Sequence, residues 1–151
     1  MADSDLIKLY SGRILALAAD MPATEPLDDP QATVRKRSPL CGSTVTVMLA
    51  TENGRITGYA QDVKACALGQ ASAAISGAVI LGHDLEEVRD ARDALRRMLK
   101  EDGPVPDAPF DGFEVLTPAR DFKNRHASIL LALDATVEAM EQMQDNALTG
   151  Q

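Results

Sequence analysis

Three side chains in this sequence can do chemistry together: Cys41, Cys66 and His126. Cys41 sits in the turn Ser38-Pro39-Leu40-Cys41-Gly42, just ahead of a strand. Cys66 sits where a second strand ends and a helix begins. A thiol at a helix N-terminus meets unpaired N–H groups and the positive end of the helix dipole, and both favour its thiolate. Lys64 nearby adds to that field. One hairpin separates the two cysteines, out along one strand and back along the next, so both thiols arrive at one end of a sheet. His126 stands at the head of the last long helix, in Arg125-His126-Ala127-Ser128-Ile129-Leu130. Two soft thiolates and one imidazole make an incomplete ligand set for iron or zinc, with a position left open. A single free cysteine is ordinarily a small buried hydrophobe; two at turns on one sheet end argue for a site. The absence of a Cys-x-x-Cys pair removes the zinc-ribbon reading. His83, between Gly82 and Asp84, reads as a surface residue in a cap region. A hydrolase with Cys66 as nucleophile and His126 as base would need an oxyanion hole and an orienting carboxylate, and no motif supplies either.

The composition narrows the classes. The 151 residues carry 15 basic and 23 acidic side chains, a net charge of −8, with two Tyr, three Phe and no Trp. There is no basic footprint and almost no aromatic platform for stacking bases, which excludes nucleic-acid binding. No apolar run reaches the roughly 20 residues of a membrane span. The opening Met1-Ala2-Asp3-Ser4-Asp5 is acidic and lacks the apolar segment of a secretory signal, so a cytoplasmic, reducing setting is expected and the cysteines are expected as free thiols.

The elements that must position these residues follow from periodicity. Residues 4–19 read as a helix with Leu6, Ile7, Tyr10, Ile14, Leu15 and Leu17 on one face and Asp3 or Ser4 as N-cap. Pro22, Pro26 and Pro30 mark a loop. Residues 32–37 read as a short exposed strand. Residues 43–51 alternate Val45, Val47 and Leu49 with polar or small neighbours, and Asn53-Gly54 turns the chain into a return strand over 55–63. Helices are predicted over 67–82, with Gly82 closing the end, and over 84–100, where Asp84 and Glu87 form a capping box. Residues 101–116 read as a solvated acidic loop. Thr117-Pro118 reads as the N-cap and first position of a helix interrupted near Asn124, whose main part, 126–145, carries Ile129, Leu133, Val137 and Met140 in one stripe. The expected class is a single α+β domain, residues 1–151, with a small three-stranded antiparallel sheet and helices packed on one face.

Ser38-Pro39-Leu40-Cys41-Gly42, Asn53-Gly54-Arg55-Ile56, Cys66-Ala67-Leu68-Gly69-Gln70-Ala71-Ser72-Ala73 and His126-Ala127-Ser128-Ile129-Leu130 together resemble the U-type iron–sulfur cluster assembly scaffolds, the IscU, SufU and NifU N-terminal domain family. The Cys66 block is the most specific of these. The resemblance covers nearly the whole chain, and the long segment between Cys66 and the last helix is similar to the Suf-type branch. It implies a non-enzymatic scaffold or carrier that binds iron, an iron–sulfur cluster or zinc through Cys41, Cys66 and His126. A cysteine desulfurase and apo iron–sulfur client proteins are the implied partners, and a homodimer is an open expectation. The family's third cysteine falls on Ala127 and its site aspartate on Ser43. The alternative implied is a divergent paralogue with an incomplete site, serving as a zinc-binding or desulfurase-partner module. Where the Isc branch carries a chaperone-recruiting Leu-Pro-Pro-Val-Lys, this chain has Asp121-Phe122-Lys123-Asn124-Arg125, so that chaperone is not expected.

Overall fold

The computed structural model describes residues 11–39 and 42–148, with side chains through residue 144. Cys41 and the expected N-caps Asp3 and Ser4 lie outside the described residues. Three strands, β1 (Ala32–Arg37), β2 (Thr44–Glu52) and β3 (Arg55–Lys64), form an antiparallel sheet in the order β1-β2-β3. Around it lie the helices α1 (Gly12–Ala19), α2 (Ala67–Val79), α3 (Leu85–Lys100) and α4 (His126–Leu148), and two 3-10 segments, Phe110–Asp121 and Lys123–Arg125. This is the expected α+β class.

The hairpin between β2 and β3 forms because Asn53 and Gly54 both take positive φ, 55° and 80°, as a turn matched to strand twist requires. A register shift at Ala50/Thr51 marks a bulge just before it. Leu49, Val47 and Val45 then pair with Tyr59, Gln61 and Val63, while Ala32 and Val34 of β1 pair with Leu49 and Val47. Because side chains alternate along a strand, this register collects the apolar residues on one face. That face packs on α4, which crosses β1 and β2. β1 is not simply exposed, since Ala32 and Val34 are buried.

The loop between α1 and β1 guards the outer edge of β3. Gln61 donates its backbone N–H to Ala23 O at 2.8 Å, and its side-chain Nε2 donates to Pro22 O at 3.3 Å and to Ala73 O at 3.0 Å. Its Oε1 accepts from Tyr59 at 3.2 Å, and Tyr59 Oη is 3.1 Å from Thr136 Oγ1 on α4. Burial pushes the Tyr59 phenol up to about 12, so it stays a neutral hydrogen-bonding group.

α3 starts on the capping box expected from Asp84 and Glu87: Asp84 Oδ1 accepts from the Glu87 N–H at 2.9 Å, and Glu87 Oε1 from the Asp84 N–H at 3.0 Å. Other boundaries move. Of the helix expected over 4–19, the residues before Ser11 lie outside the described ones; α1 starts at Gly12 on a Ser11 cap, Leu15 is 51% exposed, and of the described residues of the expected face only Ile14 is fully buried. α2 ends at Val79, and Gly82 (φ 87°) serves the following turn rather than the helix end. The largest difference is at 101–116. From Phe110 the chain enters a 3-10 segment that buries Phe110, Phe113, Val115 and Leu116 in the core. The acidic residues and prolines of that stretch concealed its apolar payload. Thr117 is not a helix N-cap: its Oγ1 donates to Glu114 O at 2.6 Å, and Pro118 lies inside the 3-10 segment.

α2 is the central helix, buried from Leu68 to Ser76 on nearly every side, and it lies close against α4. Gly69 makes that possible. A Cβ there would sit 2.5 Å from Ser128 Oγ and 2.9 Å from Ala65 Cβ. Gly69→Ala is therefore expected to force the two helices apart and cost about 1–3 kcal/mol, the range for overpacking a tight core; urea unfolding checks it. On α4, Asp134 is held partly buried with Arg92 and Arg96 at 3.9 and 4.0 Å. Burial raises its carboxyl above the usual range, against the pull of Arg92, Arg96 and Lys36. The folded state thus favours the protonated form, and the stabilisation present at low pH is lost as pH rises through the raised value. Asp134→Asn is expected to raise the unfolding midpoint at neutral pH and flatten that acid-side slope, read by urea titrations between pH 4 and 7.

Candidate thiol and imidazole site at one end of the sheet

The strand register decides which residues meet. Arg37 pairs with Thr44, and Thr44 pairs in turn with Lys64. The turn joining β1 to β2 and the exit from β3 into α2 therefore lie at the same end of the sheet. That turn is closed by Ser38 N–H to Ser43 O at 2.8 Å and Gly42 N–H to Ser38 O at 3.0 Å, with Gly42 at φ 67°. The left-handed conformation explains the glycine after Cys41. Both flanks of Cys41 are thus at the Cys66 end, as the hairpin argument expects, while Cys41 itself lies outside the described residues.

Cys66 is the N-cap residue of α2, in extended conformation (φ −65°, ψ 169°), with a free, half-buried thiol. Its side chain makes no capping bond to the helix. Instead Cys66 Sγ lies 3.5 Å from Ser128 Oγ, and Ser128 Oγ donates to Ser43 Oγ at 3.0 Å. Ser128 is 1% exposed and Ser43 3% exposed. This chain of one thiol and two hydroxyls joins three elements: the β1–β2 turn, the start of α2 and the first turn of α4.

His126 is the first residue of α4 and 2% exposed. Its Nε2 lies 2.9 Å from Ala119 O and 3.1 Å from Arg120 O. Carbonyl oxygens only accept, so Nε2 carries the proton. Burial holds the imidazole below the ordinary histidine range. The Ala119 carbonyl opposes that shift, Lys100 and Lys123 reinforce it, and the Arg120 carbonyl again opposes it. The ring is therefore neutral near pH 7, and Nδ1 is left with a lone pair. That nitrogen is buried with no hydrogen-bond partner among the described residues. The long 3-10 segment, which supplies both carbonyls, fixes the tautomer. Ala127, between His126 and Ser128, is half-buried.

Arg37, Lys64, Lys123 and Arg125 surround this end, and none forms an ion pair within the described residues. By contrast Lys36, Arg55, Arg89, Arg92, Arg96 and Arg120 all have carboxylate partners. Arg13, Arg35, Arg97 and Lys100 elsewhere are likewise without an ion pair among the described residues, so what this end shows is four unpaired cations near one end of the sheet in a chain of net charge −8.

The donors present are a thiol, an imidazole nitrogen without a partner and two hydroxyls. The first two suit iron or zinc. Among the described residues no group of three His, Cys, Asp or Glu side chains could hold a metal ion by itself. Residue type and spacing do not show Ser43 and Ser128 as partners of Cys66. The hydroxyl at Ser128, one residue past Ala127, was the available signal. A groove of about 860 Å³ lies at the opposite end, beside Asn53 and Gly54 of the hairpin tip, and contains neither Cys nor His. No helix among the described residues is long and apolar enough to cross a membrane.

No family model matches this sequence, and no curated protein does. Among solved structures, the chain is similar to the N-terminal part of a nitrogen-fixing NifU-like protein from Brucella abortus. Identity is 43%, covering 93% of this chain and 98% of that one, with a TM-score of 0.91. An iron–sulfur cluster assembly scaffold protein for the SUF system from Fervidobacterium islandicum shares the fold at 17% identity and TM-score 0.78, over 89% of this chain and 98% of that one. A hypothetical protein shares it at 20% identity and TM-score 0.80, over the same proportions. The likeness in sequence to the Brucella protein, carried over almost the whole of both chains, makes this chain a member of the NifU-like family of U-type scaffolds.

Proposed function

We propose that this protein is an iron–sulfur cluster scaffold or carrier whose cargo, iron or a cluster, is held at the Cys66 end of the sheet by the thiolates of Cys41 and Cys66 and by Nδ1 of His126. The observation that carries this reading is the convergence of Cys66, both flanks of Cys41 and the head of α4 at one sheet end, in a chain of this family. The rest of the local chemistry supports it. Thiolate ligands give a bound iron centre a net negative charge, and Arg37, Lys64, Lys123 and Arg125 offset it. The Ala119 and Arg120 carbonyls hold the His126 ring and make Nδ1 the better donor, as outer hydrogen bonds do for metal-ligating histidines. The ligand set stays short, because Ala127 and Ser43 stand where the family uses Cys and Asp. A centre with an open position exchanges ligands readily, which suits a carrier that receives from a cysteine desulfurase and gives to apo clients. No bond-making catalyst is required, and the role is non-enzymatic. The SUF scaffold from Fervidobacterium islandicum has the same fold, in keeping with this role. The isolated protein is expected to take zinc in place of iron, and a cytoplasmic setting with free thiols fits the proposal.

Anaerobic reconstitution with Fe²⁺ and sulfide tests it. The expected result is thiolate-to-iron charge-transfer absorption that disappears in Cys41→Ala and in Cys66→Ala and falls in His126→Ala. Zn²⁺ binding without any cluster would replace the carrier with a zinc-holding interaction module, and failure to bind Zn²⁺ or Fe²⁺ would overturn both. Adding the missing thiol with Ala127→Cys should slow loss of bound metal to a chelator by tenfold or more, about 1.4 kcal/mol per decade. An unchanged rate would mean that position 127 does not face the cargo.

A further inference from the structure

The hydroxyl pair beside Cys66 has a direction. Ser128 Oγ donates its proton to Ser43 Oγ at 3.0 Å, so its 3.5 Å contact with Cys66 Sγ is met by the thiol S–H donating to Ser128. Each hydroxyl owns one proton and can both donate and accept. The chain therefore runs Cys66 to Ser128 to Ser43, an arrangement that suits a protonated thiol. A thiolate reverses the requirement: it has no proton and must accept one. The adjacent proton is that of Ser128. Rotation of one O–H bond turns the Ser128 proton from Ser43 to the sulfur, with no displacement of heavy atoms. Both serines are buried, so water does not compete for these positions.

We infer that Ser128 and Ser43 are positioning residues for the Cys66 sulfur: Ser43 takes the Ser128 proton while Ser128 accepts from the free thiol, and Ser128 donates to the sulfur once it binds metal. The inference rests on Cys66 holding the cargo, as proposed above. On metal binding the sulfur exchanges its proton, released to water, for a bond to the metal. Ser128 then supplies the outer hydrogen bond that tunes a metal-bound sulfur. Ser43 acts from the far end of the chain rather than as a ligand.

Two measurements on the full chain separate the two directions. In the metal-free protein, the Raman S–H stretch of Cys66 is expected at a hydrogen-bonded, lowered frequency. It should move up in Ser128→Ala, where the acceptor is gone. It should also move up in Ser43→Ala, where Ser128 loses its own acceptor and turns its proton towards the sulfur. In the Co²⁺-loaded protein, the sulfur-to-metal charge-transfer band should move to lower energy in Ser128→Ala only, because Ser43→Ala leaves Ser128 donating. A packing defect alone would not produce this split. Shifts of both signals in both variants, or of neither signal in either, would overturn the inference. Failure of the unmodified protein to bind Co²⁺, Zn²⁺ or Fe²⁺ would overturn the proposed cargo site and, with it, the reversal. A loaded protein whose band ignores Ser128→Ala would overturn the reversal alone.

Discussion

Close approach of α2 to the first turn of α4, at Gly69, is the contact on which the Cys66 end depends. It is a steric constraint before it is a chemical one. With no side chain at position 69, Ser128 comes near enough for its hydroxyl to reach both the thiol at the start of α2 and the turn that closes β1 onto β2. Any larger residue would separate the helices, and the thiol would lose its buried neighbour. The sheet register then completes the arrangement. A two-residue hairpin turn fixes how β3 pairs with β2, and that pairing decides that Cys66 emerges beside Ser43 rather than at the hairpin tip.

The electrostatics follow the same geometry. Most of the paired cations stabilise helix surfaces, where exposed ion pairs contribute little individually. Those left unpaired at the Cys66 end serve no evident folding purpose. The one buried imidazole is kept neutral by its surroundings and oriented by two carbonyls of the preceding 3-10 segment. The segment between α3 and α4 thus orients the His126 ring as well as forming part of the core.

How much of this could be read in the chain depends on the kind of signal. Asn53-Gly54 and the alternation around Val47 have strictly local causes, and the β2–β3 hairpin matched them to within a residue. The Asp84 and Glu87 capping box was equally local. Phe110, Phe113, Val115 and Leu116 were read as loop because 3-10 structure has no strong periodicity, and the flanking prolines and acids outweighed the apolar residues in a sequence scan. At the candidate site, residue type and position single out Cys66 and His126 in the sequence. The Ser128 bridge was not, because a buried serine has no sequence signature; only the helix crossing shows what it touches. Gly69 likewise belongs to the Cys66 motif in sequence, while its reason, a forbidden Cβ, exists only in three dimensions.

The loop that covers β3 has a consequence for how this molecule meets others. Ala23 takes up the backbone donor of Gln61 on that strand, and Gln61 pins the loop with its side chain. At the opposite edge β1 bears the consecutive charges Arg35, Lys36 and Arg37, with Lys36 tied to Glu138. An incoming strand would have to break the first and neutralise the second. Recruitment of another chain by extending the sheet is therefore disfavoured on both sides. Contacts with other molecules are then left to side chains, so two such molecules can come together and separate without either one exchanging backbone hydrogen bonds.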